Sequence, residues 1–252
     1  MDTLELSHVT ADPIQIVGLS FYFDPGTNER AKEYGLHRLQ FYGLGRGGVL
    51  GDVDRNTVDR AFTFFDPGVY DFLWDNAREK ADPVETASAY VQAAYEFADR
   101  TFGAVPIDLL ARYAVAAHKV IGAIDVGQHL LVDGYRQYPV PENPVHAAYL
   151  GAILMRELRG GVHIVAVQSV GLSPLEACYL QDPGVFKHHG YKEEDVPAVT
   201  EKHHKLKVAA EELTNAMMAE CFSVLSDQER QDLCDGALAL FDALSDPVAI
   251  SE

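Results

Sequence analysis

The chain is short of cations. Its 252 residues carry 20 Lys and Arg against 38 Asp and Glu, a formal net charge of −18. Non-specific affinity for nucleic acid comes from Lys and Arg neutralising phosphates, and the field of an acidic molecule opposes the use of a local basic patch. The balance argues against nucleic acid as the partner. Cysteine is scarce as well: Cys178, Cys221 and Cys234 are odd in number, widely spaced and form no C-x-x-C pair. That pattern reads as free thiols in a reducing compartment rather than a disulfide framework. The opening Met1-Asp2-Thr3-Leu4-Glu5 has neither the basic start nor the apolar run of a signal peptide. No stretch approaches the ~18 uninterrupted apolar residues of a membrane span. The expectation is a cytoplasmic protein that does not associate with membranes. Low-complexity tracts and internal repeats are also missing, and 48% hydrophobic with 23% charged residues is an ordinary globular composition. This length serves one large domain or two small ones sharing a core.

What is present is helical punctuation. Asp66-Pro67, Asp82-Pro83, Asn143-Pro144 and Ser173-Pro174 each precede a helix-like pattern, with Asp24-Pro25 and Asp182-Pro183 as weaker instances. The short polar side chain caps free backbone N–H groups, and proline fits the first turn because its missing N–H costs nothing there. These starts predict helices over 26–35, 54–63, 67–79, 83–102, 106–122, 126–136, 144–159, 162–170, 174–181, 192–224 and 227–244. Within 83–102, Ala87, Tyr90, Val91, Ala94, Tyr95 and Ala98 repeat at three-four spacing. Ser226 followed by Glu229 makes a capping box for the last helix. Only Ile14 to Phe23 and Val162 to Val167 look strand-like. The fold class is therefore all-α, a compact multi-helix bundle. A soft boundary near Gly171 to Gly190 divides it into an N-terminal region, 1–171, and a helical C-terminal region, 172–252, packed as one unit.

Two constellations carry chemistry. Gly43-Leu44-Gly45-Arg46-Gly47-Gly48 matches the G-x-G-x-x-G expression, yet no buried strand precedes it and no helix opens at its third glycine, so a dinucleotide site lacks its context. The plainer reading is a backbone pressed against a neighbouring helix, with Arg46 as a lone cation beside it. The second constellation is the helix after Asn143-Pro144. His146, Tyr149, Ile153 and Glu157 share one stripe, and Arg156-Glu157-Leu158-Arg159-Gly160-Gly161-Val162-His163 follows, with Gly160 read as the helix terminator. Because the flanking sequence is apolar, these charges must be paired or serve a ligand. Two readings stay open: an internal ion-pair network of Glu157 with Arg46, Arg156 or Arg159, and an arginine clamp for a carboxylate or phosphate. In the second, Glu157 and His163 are the proton-transfer pair and Tyr149 and His146 line the pocket. His118, His129, His146 and His163 lack metal-site spacing, so no metal is assigned. No G-x-S-x-G nucleophile elbow exists. Phe62, Phe64, Phe65, Tyr70, Phe72 and Trp74 read as core rather than pocket.

The runs Gly45 to Val53, Phe64-Phe65-Asp66-Pro67 with Trp74, Leu154 to His163 and Gly171 to Ala177 resemble an actinobacterial family of helix-turn-helix (SalK-like) proteins. The likeness extends from about Val17 to Leu244, and Arg-Glu-x-Arg-Gly-x-x-His is its most specific element. The resemblance implies a winged-helix-like C-terminal half and transcriptional control. Some relatives carry Arg-Glu-His-Arg-Gly-Asp-Gly-His, where this chain has Leu158, Gly161 and Val162. The stretch Lys192–Val208 is shorter than the corresponding recognition helix and wing, and it lacks hairpin turn residues.

The reading that follows is a small-molecule-binding helical protein acting on an anionic or oxygenated metabolite. Arg46, Arg156 and Arg159 form its anion clamp, and acid/base chemistry at Glu157 and His163 would make it an enzyme. The alternative is a ligand-responsive winged-helix regulator. The sequence names no cofactor, and it leaves a homodimer open.

Overall fold

In the computed structural model, residues 1–244 are described. The helices are α1 (Thr3–Leu19), α2 (Pro25–Glu33), α3 (Arg38–Gly47), α4 (Arg55–Phe62), α5 (Asn76–Arg78), α6 (Pro83–Phe102), α7 (Ile107–Ala123), α8 (Leu130–Tyr135), α9 (Pro144–Val170), α10 (Pro174–Gln181), α11 (Pro183–His188), α12 (Glu201–Cys221) and α13 (Asp227–Asp242). Short 3₁₀ turns and one π-helical turn, Asp71–Asp75, fill several joins. Among the described residues there is no strand. The protein is an all-α bundle, as its punctuation predicts. The last stretch of the region 172–252, residues 245–252, lies outside the described residues.

The capped starts follow from local chemistry. Asp24, Asp66, Asp82, Asn143 and Ser173 each accept a backbone N–H from the turn that their proline opens. Asp182 does the same for Gly184. Ser226 and Glu229 form the reciprocal capping box of α13.

α9 is the axis of the molecule. α7, α12, α1, α6 and α8 pack around it, and α13 closes the assembly against α1 and α7. One apolar core runs from Leu6 on α1 to Leu240 on α13, so α12 and α13 share it with the N-terminal helices, while Cys178, Phe186 and Tyr191 form a separate small cluster.

Three local expectations fail for physical reasons. The strand-like run Ile14–Phe23 is the end of α1 and its closing turn. Its buried residues Ile14, Val17, Gly18 and Phe21 keep the helical i, i+3, i+4, i+7 spacing, and the helix runs through Pro13. Val162–Val167 is helical, as the range 162–170 predicts, but it continues the same helix, because α9 does not stop at Gly160. A mid-helix glycine costs only about 1 kcal/mol relative to alanine. Gly161 is also where α9 meets His129, and a Cβ there would stand 2.5 Å from the His129 Nδ1. The true stop is Gly171, left-handed at φ 86. Its N–H bonds the Gln168 carbonyl, and the Leu172 N–H bonds that of Val167, the paired bonds of a Schellman motif. Finally, 67–79 is a broken series of turns and 192–224 turns continuously helical only from Glu201.

α3 is missing from the expected helices because four glycines crowd its end. They permit its packing. A Cβ on Gly45 would stand 2.6 Å from the Tyr90 ring, and one on Gly48 would overlap the Pro83 carbonyl oxygen. α3 thus lies directly on α6, which is the close backbone approach expected of the cluster, and with no strand before it the dinucleotide context is missing.

Candidate functional site

α3 and α9 bring Arg46 and Glu157 together across 111 positions of sequence. Arg46 grips the carboxylate with two parallel bonds, Nε to Oε1 at 2.9 Å and Nη2 to Oε2 at 2.7 Å. Arg156 adds Nη1 to Oε1 at 2.9 Å, and the Tyr22 hydroxyl donates to the same oxygen at 3.2 Å. Arg46 also donates to the Tyr42 hydroxyl at 3.0 Å. Its guanidinium lies 4.4 Å from the Phe62 ring centre, and that of Arg156 5.2 Å from the Tyr22 ring. Such aromatic faces favour a cation already stripped of water.

The electrostatics follow from burial. The Glu157 side chain is 1% exposed, that of Arg46 8% and that of Arg156 14%. Burial pushes the Glu157 carboxyl up, but Arg46 and Arg156 overcome it and hold the pKa down at about 2. Burial acts against the charge on Arg46, and Glu157 reverses it, so Arg46 stays protonated. Burial likewise raises the Tyr22 hydroxyl far above its ordinary value and keeps it neutral.

Around this group stand polar atoms with no protein partner. The hydroxyls of Tyr70, Tyr90 and Tyr135 and the Nε of Arg156 are buried and unbonded to protein. All three tyrosines are 0% exposed. Burial pushes their hydroxyls far above the usual range, and each lies near enough to Arg46 to be drawn part of the way back. Tyr135 also feels Glu157. Buried polar groups in folded proteins are nearly always bonded, so four such donors beside one ion group form an unusual setting.

The remaining residues of the sequence-derived site are distributed elsewhere. Arg159 donates to Asn215 at 3.1 Å and to Glu211 at 3.3 Å, both on α12. His163 bonds the Thr214 hydroxyl through Nδ1 at 2.9 Å, with Glu211 3.9 Å from its Nε2. Thr214 gives its own proton to the Ala210 carbonyl, which makes the Nδ1 of His163 the donor. Burial lowers the pKa of His163, with Glu211 acting in the opposite direction. Glu157 and His163 therefore share no partner, and the structure does not bring them together as a proton-transfer pair; Arg159 does not join Arg46 and Arg156. A helix turns 100° per residue, so six positions of separation point the two side chains apart. His146 stacks on Tyr95 at 4.7 Å and meets Asp99 at 2.9 Å near the surface. Tyr149 is buried, donating to the Val17 carbonyl and touching the Ser20 hydroxyl.

A strap joins the two groups. After α4, Thr63 sits at φ 48, and the Phe64 N–H reaches back to the Phe62 carbonyl at 2.5 Å. Phe62 covers Arg46 while Phe64 packs 5.8 Å from His163. A β-branched residue at positive φ is strained, and such strain clusters at functional sites. Open depressions of about 360 Å³ near Asp52 and Arg78 and about 310 Å³ near Glu201 and Val208 lie away from both groups. Among the described residues, no three His, Cys, Asp or Glu side chains are arranged to hold a metal ion.

Tyr42 stands one helical turn before Arg46, but Tyr22, Tyr90 and Tyr135 carry no spacing that marks them as members of one site. The one usable signal is tyrosine, rather than phenylalanine, at core positions. No helix is long and apolar enough to cross a membrane among the described residues. Neither curated proteins nor solved structures give a match to the chain. A helix-turn-helix family model matches residues 8–194, about three quarters of the length, and the chain belongs to that family.

Proposed function

We propose that the protein binds a small anionic, oxygen-rich molecule at the buried group of Arg46, Arg156 and Glu157. One observation carries the reading: two guanidiniums meet a single carboxylate in the core, and the polar atoms left over beside them, the Nε of Arg156 and three tyrosine hydroxyls, can each donate a hydrogen bond. Two guanidiniums on one carboxylate leave a net positive charge in the core, and an uncompensated buried charge is costly. An anion completes the balance and supplies the missing acceptors. Arg159 and His163 contribute through the strap, and Tyr149 and His146 hold α9 against α1 and α6.

Binding is better supported than acid/base turnover. A carboxyl held near pKa 2 is ionised throughout the neutral range, and a general base works best with a pKa near the operating pH. Native mass spectrometry of freshly purified protein tests the reading. It predicts a retained mass that disappears in Arg156→Met, and an unliganded wild-type chain that also fails to bind added anions removes it.

The second reading is a ligand-responsive regulator, favoured by the family match. We infer further that the chain sits among the SalK-like actinobacterial members, whose Arg-Glu-x-Arg-Gly-x-x-His element it carries. α9, the turn Gly171-Leu172-Ser173 and α10 form a helix-turn-helix with a glycine in its turn. Against DNA contact, α10 has no Lys or Arg, and the net charge is −18. Fluorescence anisotropy with mixed genomic fragments at two salt concentrations decides between them: tight, salt-sensitive binding establishes the regulator, and its absence leaves the ligand reading.

A further inference from the structure

We propose that the ligand of the buried site is a monovalent anion, a carboxylate or a comparable singly charged oxyanion. The inference rests on the binding reading above and names its ligand class.

The first argument is charge. Among the described residues, Arg46 and Arg156 have no acidic ion-pair partner other than Glu157. Two fixed cations and one anion leave a single positive charge. None of it titrates in the working range: the carboxyl of Glu157 is held at about 2, Arg46 is raised further, and the surrounding tyrosines are pushed up and remain neutral. One negative charge neutralises the site. A dianion would leave a net negative charge in the same core, where an uncompensated charge is costly.

The second argument is hydrogen bonding. A guanidinium has five N–H donors and no acceptor. Arg46 uses three, two on Glu157 and one on Tyr42, so two remain. Arg156 uses one on Glu157, and its Nε is buried without an acceptor. The hydroxyls of Tyr90 and Tyr135 add two more donors within the field of Arg46. Glu157 is the nearby acceptor, and its Oε1 already receives three bonds. Planar oxyanions match guanidinium edges best.

The third is access. The exposure of the three side chains rises from Glu157 to Arg46 to Arg156. Glu157 lies deepest and Arg156 is the most exposed of the three, so an approaching anion meets Arg156 before the carboxylate.

Isothermal titration of the full chain tests this at constant ionic strength and pH 7, with formate, acetate and nitrate against sulfate. The expected result is saturable binding of the monoanions, with sulfate at least tenfold weaker. Arg156→Gln, which leaves the Arg46–Glu157 pair neutral and intact, is expected to abolish the heat. Tyr135→Phe, which keeps every ion pair, is expected to weaken binding about threefold to tenfold without moving the unfolding midpoint, as removal of one hydrogen bond does. Sulfate binding as tightly as the monoanions overturns the charge argument while leaving the site. Anion heats absent from the wild type, or unchanged in Arg156→Gln, overturn the site together with its ligand.

Discussion

Glu157→Gln preserves the shape of the central side chain and removes its charge. In the native structure that carboxylate takes two bonds from Arg46, one from Arg156 and one from Tyr22. The amide can accept at one oxygen only, and its NH₂ faces guanidinium donors. Removing one partner from a buried ion pair costs about 3–5 kcal/mol, against a total stability of about 5–15 kcal/mol for a typical domain. At this chain length roughly 2–4 °C is lost per kcal/mol, so the melting temperature is expected to fall by roughly 6–20 °C. Urea unfolding followed by circular dichroism at pH 7 measures the free-energy change directly. The triple variant Arg46→Met, Glu157→Leu, Arg156→Met is expected to recover most of the loss, because apolar residues of similar volume often replace buried ion groups at no net cost. A loss below about 1 kcal/mol in Glu157→Gln, the value of an exposed pair, would refute the claim that this group is desolvated and tightly bonded.

Further outcomes follow from the same structure. The folded pKa of Glu157 is depressed from 4.5 to about 2, so its stabilisation is present above the unfolded value and lost as pH falls through that window. At about 1.4 kcal/mol per unit this amounts to about 3 kcal/mol, visible as a steep acid limb in urea midpoints that flattens in Glu157→Gln. Burial depresses His163 below 6.5, so stability is also expected to decline as pH drops from about 7 towards 5; His163→Asn should lessen that decline, and an unaltered slope contradicts it. Gly48→Ala drives a Cβ into the Pro83 carbonyl and is expected to destabilise by at least the 1–3 kcal/mol typical of about one extra methylene in a packed core. Gly171→Ala forces a Cβ into the left-handed region at φ 86 and should lose about 1–2 kcal/mol in the same assay.

Much of the fold is legible in the sequence because its signals are local. Asp82 caps α6 and Ser226 caps α13 through atoms within three residues of each other, so no knowledge of tertiary structure is required. Elsewhere long-range packing overrides local preference. Gly160 and Gly161 look like a helix stop, yet the core on either side carries α9 through them; Pro13 looks like a break, yet the buried face of α1 holds. The glycines of α3 give no helical pattern, but Tyr90 on another helix explains them.

The site divides in the same way. Arg46, Arg156 and Glu157 are recognisable as charges set in apolar sequence, and burial without paired charge is expensive enough to make that signal strong. Which of them meet depends on rotation about α9, where one residue shifts a side chain by 100°. That rotation sends Arg159 and His163 to α12, away from Glu157. Apart from Tyr42, the tyrosines around Arg46 come from α6, α8 and the segments following α1 and α4, and no spacing rule links them.

Anomalous diffraction from bromide-soaked crystals tests the central claim most directly, since bromide is a monovalent acceptor visible at its own absorption edge. The claim predicts a buried peak within hydrogen-bonding reach of the Arg156 Nε or of the Tyr90 or Tyr135 hydroxyl. Bromide confined to the protein surface, with those hydroxyls and that Nε bonded to ordered water, would contradict it.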